Sequence, residues 1–289
     1  MKITESCFEC LLSRIAYECD LVCRDPEKTA EITEKCRNLL TELCREDRAA
    51  PQISSRIHRL AYEEAGSVDP YHALKAKDNA DARNACEHLI TGDMGGFRDL
   101  CLAAIIGNTL DYGSREHTVT DNLALHFRNE FEQGLTIDDT DEILALSDRV
   151  VFFCDNCGEI IFDSYLIRFL KDQGGSHVTV VVRGGPIIND ATWEDAHTAG
   201  IDTVCDVLLT NTHGIAELGY NPALAPEELQ NAIERSSLII AKGMANYESL
   251  TEIEGLPPVA YCMTVKCVPI ADSIGGVEKG SRIAMLRYQ

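Results

Sequence analysis

Residues 151–163 read VFFCDNCGEIIFD: an apolar run halts on Asp155 and Asn156, turns through Gly158 and resumes as a second apolar stretch. A carboxylate and a carboxamide side by side at the end of a buried run raise the question of what the other runs end in. After about residue 148 the chain alternates short β-rich runs with helical patterns. The runs are RVVFFC (149–154), HVTVVVRG (177–184), DVLLT (206–210), SLIIAKG (237–243) and VAYCMTV (259–265), and helix-like segments fall around 159–173, 190–199, 227–235 and 245–252. Continuously apolar strands separated by helices predict an α/β fold, a mostly parallel sheet covered on both faces.

In such sheets ligands bind beyond the carboxyl ends of the strands. Each run here empties into polar groups: Asp155-Asn156, then RGGPIIND leading to Asp190, then TNTHG, KGMAN and TVKC. Turn chemistry accounts for Gly, Asn and Asp. It does not account for Lys242 and Lys266, because a lysine closing a buried strand is no turn former. Two carboxylates and an amide oxygen meeting at one spot form a hard all-oxygen site suited to Mg²⁺ or Mn²⁺, with lysines to neutralise a phosphate. Acidic strand ends serve many chemistries, and a nucleotide-binding methyltransferase fits the same spacing. The glycines at 183–186 match neither a dinucleotide fingerprint nor a P-loop.

The first half reads as helical. CLLSRIAYECDLVC, PEKTAEITEKCRNLLTELCRE and PQISSRIHRLAYEEAG place apolar residues three and four apart, with Pro26 and Pro51 at helix starts and Gly66 at a stop. FRDLCLAAIIGNTLDYG continues the pattern, broken by Gly107. The division drawn from this texture is a helical region at 1–147 and an α/β catalytic domain at 148–289.

Lysine and arginine number 26 against 47 aspartate and glutamate, a net charge of −21 that disfavours nucleic acid and anionic membrane as partners. No run reaches the roughly 18 apolar residues of a bilayer span, and MKITESCFEC lacks the apolar core of a secretion signal, so the reading is cytoplasmic. Thirteen cysteines, an odd count without that signal, read as free thiols. Cys19, Cys23, Cys36, Cys44, Cys101 and Cys205 read as core residues.

CDNCGEIIFD, GGPIINDATWEDA, AKGMANYESL and TVKC, with CFEC near the start and IIGNTLDYG at 105–113, resemble the damage-control phosphatases over nearly the whole chain. These were long known as domain of unknown function eighty-nine, or the acidic-residue methyltransferase-like metal-binding domain, and the paired cysteines are similar to the prokaryotic, largely archaeal branch. The resemblance implies a helical N-terminal domain before a Rossmann-like three-layer α/β/α domain. It further implies a phosphatase of sugar phosphates and damaged or side-product phosphates that uses Mg²⁺, Mn²⁺, Co²⁺ or Ni²⁺. Asp155, Asn156 and Asp190 take the family's metal positions, and Lys242, Gly243, Asn246 and Lys266 its phosphate and substrate contacts, with Glu159 beside the metal. In this scheme Lys242 and Lys266 neutralise phosphate charge while Asp155 or Asp190 orients the attacking water. The alternatives are a sensor that binds metal and phosphometabolite without turnover, and a carboxyl methyltransferase using S-adenosylmethionine.

Other residues divide between functional and plain readings. Asn108 and Asp111 end a helix as turn residues, or belong to a loop that the family pattern lays over the site. Cys7, Cys10 and Cys267 form a candidate cluster near the site, with packing as the simpler account. Asp163 shares a helical face with Glu159 and reads as solvent-exposed, and the sole tryptophan, Trp193, as a core anchor. His213, at the third strand end, is the one histidine placed to matter. Nothing in the sequence specifies an oligomeric state.

Overall fold

The computed structural model describes residues 1–90, 94–108 and 121–289, with backbone alone for 121–124. Helices α1 (Glu5–Val22), α2 (Pro26–Leu43) and α3 (Ala50–Ala65) come first, followed by α4 (His72–Leu89), α5 (Phe97–Gly107) and α6 (Asp121–Gln133). Their ends follow local chemistry. Asp25 caps α2 by accepting from the amides of Glu27 and Lys28, with Pro26 in the first turn, and Gly66 closes α3 in the left-handed conformation that glycine takes without strain. Next come β1 (Ile137–Asp138), α7 (Thr140–Ala145), β2 (Arg149–Phe153), α8 (Glu159–Asp172), β3 (His177–Val182), α9 (Trp193–Ala199), β4 (Val207–Thr210) and α10 (Glu227–Glu234). The chain finishes with β5 (Leu238–Lys242), α11 (Gly243–Leu250), β6 (Val259–Thr264), α12 (Val268–Ser273) and β7 (Arg282–Arg287).

The five apolar runs are all strands of one seven-stranded sheet of order β1-β7-β6-β5-β2-β3-β4. Every neighbouring pair is parallel except β6 with β7. From β2 the chain winds outward through β3 and β4, then returns to β5 on the other side of β2 and winds the opposite way. The reversal opens a crevice between the carboxyl ends of β2 and β5, the usual ligand position in such a sheet.

Alternate residues of each strand face opposite ways. Val150, Phe152, Val180, Ile240 and Cys262 join a core with α4, α5, α6, α8 and α9. Val151, Phe153, Val181, Ile239 and Tyr261 join another with α10, α11 and α12. The helical first half is thus shared out. α4 to α6 belong to the sheet's own core and β1 lies in the sheet, whereas α1 to α3 enclose a separate core built on Ile15, Ile32, Cys36, Leu40 and Ile57. Of the cysteines read as core, Cys19, Cys36 and Cys101 are buried, Cys23 and Cys205 partly so, and Cys44 is exposed, because it follows the last turn of α2 into the surface loop. Among the described residues no helix is long and apolar enough to cross a membrane.

Gly107, read as a break in the helical pattern, is the last residue of α5 and also permits a close approach of α5 to α8. A Cβ there would lie 2.8 Å from Phe162 Cδ2 and 3.0 Å from Cγ. Gly107→Ala is expected to lower stability by about 1–3 kcal/mol through overpacking, measured as a shift in urea midpoint at constant m-value; an unchanged midpoint would show that Phe162 yields freely.

Candidate active site

Beyond β2 the chain runs through Cys154, Asp155 and Asn156 before α8 begins at Glu159. This loop is laced to the one after β3. Ala191 N donates to the Asp155 carbonyl and Cys157 N to that of Asn189, each at 2.8 Å, while Asn156 and Asp190 form an isolated antiparallel bridge. The lacing brings the Asp155 and Asp190 carboxylates together, both buried. Between them lies Arg183, 1% exposed, donating from Nε to Asp190 Oδ2 at 2.6 Å and from Nη2 to Asp155 Oδ1 at 3.3 Å. Burial, reinforced by repulsion from Asp190 and Glu159, pushes the Asp155 carboxyl up to about 8 despite Arg183, and burial likewise raises Asp190.

On the other side of Asp155 stands a second charged group. Lys242, fully buried at the end of β5, donates to Glu159 Oε1 and Asp163 Oδ1, both at 2.6 Å, and to the Ala104 carbonyl at 3.3 Å. Glu159 Oε2 accepts from Asn108 Nδ2 at 2.6 Å, and the same amide reaches Asp155 Oδ2 at 3.1 Å. Lys266, exposed, donates to the Asn108 carbonyl at 3.0 Å and to its side-chain oxygen. A hydrogen-bonded chain therefore runs from Asp163 through Lys242, Glu159 and Asn108 to Asp155.

The family model for the damage-control phosphatase ARMT1-like domain matches residues 3–283. The chain belongs to that family. As a damage-control phosphatase it is similar over its full length to archaeal relatives. It is 38% identical to a damage-control phosphatase of Archaeoglobus fulgidus (98% of this chain, 99% of the relative) and 27% identical to one of Pyrococcus horikoshii (99% and 98%). The crystal structure of a family member from Pyrococcus horikoshii superposes with a TM-score of 0.91 at 26% identity, covering 99% of both chains. Family membership makes the chain a phosphatase with a damage-control role.

The residues singled out from sequence fall into distinct positions. Asp155, Asn156, Asp190, Asn108 and Lys266 meet at the crevice, and Glu159, read as a substrate contact beside the metal, is fully buried behind Asn108. Lys242 and Asn246, read as substrate contacts, are instead buried beneath the crevice. All three protons of Lys242 are spent on protein acceptors, and Asn246 binds Arg183 Nη1 through its oxygen and the carbonyls of Cys154 and Lys242 through its nitrogen. Gly243, with φ of 73°, makes room, since a Cβ would lie 1.9 Å from Asp155 Oδ2. Asp111 lies outside the described residues. Asp163, read as exposed, is fully buried because its helical face turns inward onto Lys242. Trp193, read as a core anchor, is 46% exposed at the start of α9, edge-on to His197, and His213 is exposed. Cys7 and Cys10 lie within electrostatic reach of Cys267, whose thiol is raised first by its own burial. Among the described residues, however, no three His, Cys, Asp or Glu side chains are arranged to hold a metal.

A cation between Asp155 and Asp190 would therefore need an amide oxygen as third donor. Asn156 fits, because its nitrogen donates to Asp155 Oδ2 at 2.9 Å and, among the described residues, none donates to its side-chain oxygen. The carboxylates fit as well. Each can accept about four hydrogen bonds, whereas Asp155 accepts from Arg183, Asn108 and Asn156, and Asp190 from Arg183. Such an oxygen set, completed by water, suits a hard divalent ion.

Sequence reasoning missed Arg183. An arginine closing a fully apolar strand is as anomalous as Lys242, and the same test would have found it.

Burial and the neighbouring Glu159 hold the Asp163 carboxyl at about 7, above its ordinary 3.8, although Lys242 pulls the other way. Between those pH values the folded state keeps a proton that the unfolded state has released, so stability from this group is lost as pH rises. Urea titrations from pH 4 to 8 are expected to show wild type losing ground to Asp163→Asn as pH increases; parallel pH profiles would contradict the assignment.

Proposed function

We propose that this chain is a divalent-metal-dependent phosphatase of small phosphorylated metabolites, sugar phosphates or damaged and side-product phosphates. The observation that carries the reading is the pair of buried carboxylates, Asp155 and Asp190, joined through Asn156 at the switch point of the sheet, with exposed Lys266 beside them. Asp155, Asn156 and Asp190 would hold Mg²⁺, Mn²⁺, Co²⁺ or Ni²⁺, which supplies Lewis acidity to phosphoryl oxygens and to water.

The chain's own residues do the rest. Lys266 and the first backbone N–H groups of α11, which carry no intrahelical acceptor, neutralise the nonbridging oxygens of the phosphate. Asp155 or Asp190 takes a proton from the attacking water as its oxygen bonds phosphorus and the ester P–O bond breaks, the electron pair leaving with the alcohol oxygen. Attack by water is favoured over an aspartyl-phosphate. Asp155 accepts from three donors and is packed under Gly243, so its oxygens are poorly placed to reach phosphorus. Lys242 acts from below, as the counter-charge that lets Glu159 sit buried beside Asn156.

The test is inorganic phosphate release from sugar phosphates and an aryl phosphate, using chelator-stripped protein resupplied with each ion. Release that depends on metal, falls to background in Asp155→Ala and drops about 10²-fold in kcat/KM in Lys266→Ala is expected. Tight metal binding without release from any phosphate would instead favour a sensor, and methyl transfer from S-adenosylmethionine a methyltransferase.

A further inference from the structure

Two residues before Asp190 the backbone does something costly. Ile188 has φ of +43°, and Arg24 is the one other non-glycine with positive φ among the described residues. The left-handed region is unfavourable for any side chain and worst for a β-branched one, so the surroundings must enforce it, as they do at functional sites. The group that meets Ile188 is the phenol of Tyr62, whose hydroxyl oxygen accepts the Ile188 N–H at 2.9 Å. Tyr62 is 5% exposed and lies on α3, in the three-helix unit with its own core.

Tyr62 is not an isolated contact. Along the same face of α3, Ser55 Oγ accepts from Leu218 N at 2.8 Å, and Arg59 Nη1 donates to the Ala216 carbonyl and Glu217 Oε2, each at 2.6 Å. Residues 55, 59 and 62 are spaced to line up on one side of a helix. They hold the loops after β3 and β4, which are themselves joined where Gly184 N donates to Asn211 Oδ1 at 2.8 Å.

We propose that Tyr62 is a positioning residue for Asp190: its hydroxyl holds Ile188 in the left-handed turn that presents the Asp190 carboxylate to the cation. Through this bond the N-terminal three-helix unit sets the geometry of a site to which it gives no ligand. The inference rests on the metal reading above.

The experiment is calorimetric titration with Mn²⁺ of wild type, Tyr62→Phe, Ile188→Gly and the double variant, alongside the Tm of each. Tyr62→Phe is expected to bind Mn²⁺ about tenfold more weakly, the usual scale for partners that orient ligands. In the Ile188→Gly background the same change should cost less than about threefold, because glycine takes positive φ without help. A hydroxyl with a merely structural role would lower Tm and leave Mn²⁺ affinity unchanged, and that result overturns the proposal, as does an equal loss in both backgrounds. Should Tyr62→Phe fold poorly alone, the double variant against Ile188→Gly still decides: a tenfold loss there overturns it. Wild type that binds no Mn²⁺ and releases phosphate without metal would remove the metal reading and this inference together, whereas wild type that binds while Tyr62→Phe matches it removes only the inference.

Discussion

Two carboxylates of like charge, buried side by side, repel each other, and the site is arranged around that repulsion. Asp155 and Asp190 lie on the loops that follow the neighbouring strands β2 and β3, so they cannot relax apart without unlacing the backbone bonds and the bridge that join those loops. Arg183 answers part of the problem from inside, with one guanidinium bonded to both. An arginine suits this place better than a lysine, because its planar fork reaches two carboxylates and still leaves donors for Gly219 and Asn246. Arg183 answers the repulsion and the burial only in part, and both carboxyls are held above the ordinary carboxylate range.

The same logic is repeated one layer down, again with one cation between two carboxylates. Lys242 is bonded to both Glu159 and Asp163, and burial beside Glu159 raises the Asp163 carboxyl as burial beside Asp190 raises Asp155. A buried pair is weak evidence for stability, since desolvation offsets much of the attraction. Its value here is geometric. Glu159 held by Lys242 presents its other oxygen to Asn108, and Asn108 in turn bridges to Asp155 and Lys266. Lys266 is thereby tied to Asp155 through the side chain of Asn108.

How much of this was legible depends on what each residue needs. Asp155, Asn156 and Asp190 announce themselves because polar residues at the ends of buried strands must be there for a reason, and the five strands follow from composition alone. β7 does not stand out, because a strand paired antiparallel to β6 falls outside the helix-strand alternation by which the five parallel strands are read. Lys242 reads correctly as unusual and wrongly as a phosphate contact, since a strand end fixes where a side chain starts and not which side of the loop it enters. Asp163 was misread for a related reason. Spacing places it on the face of Glu159, but whether that face meets solvent is decided by β5, some 80 residues on. Tyr62 has no local signature, because what it does depends on the backbone of a residue 126 positions further along the chain.

That last distance bears on why a helical unit precedes the sheet at all. A protein of net charge −21 repels phosphorylated substrates at long range, and cannot rely on field steering to fill its site. Selectivity has to come from short-range order: the hydrogen bonds that fix Asp155 and Asp190, and the exposed Lys266 beside them. Loops after strand ends are by nature the mobile parts of an α/β domain. Here those after β3 and β4 are pinned from outside by α3 through Ser55, Arg59 and Tyr62, and from inside by Arg183 and Asn211. The loops that leave the strand ends are thus hydrogen-bonded on both sides, by the sheet's own residues and by the three-helix unit.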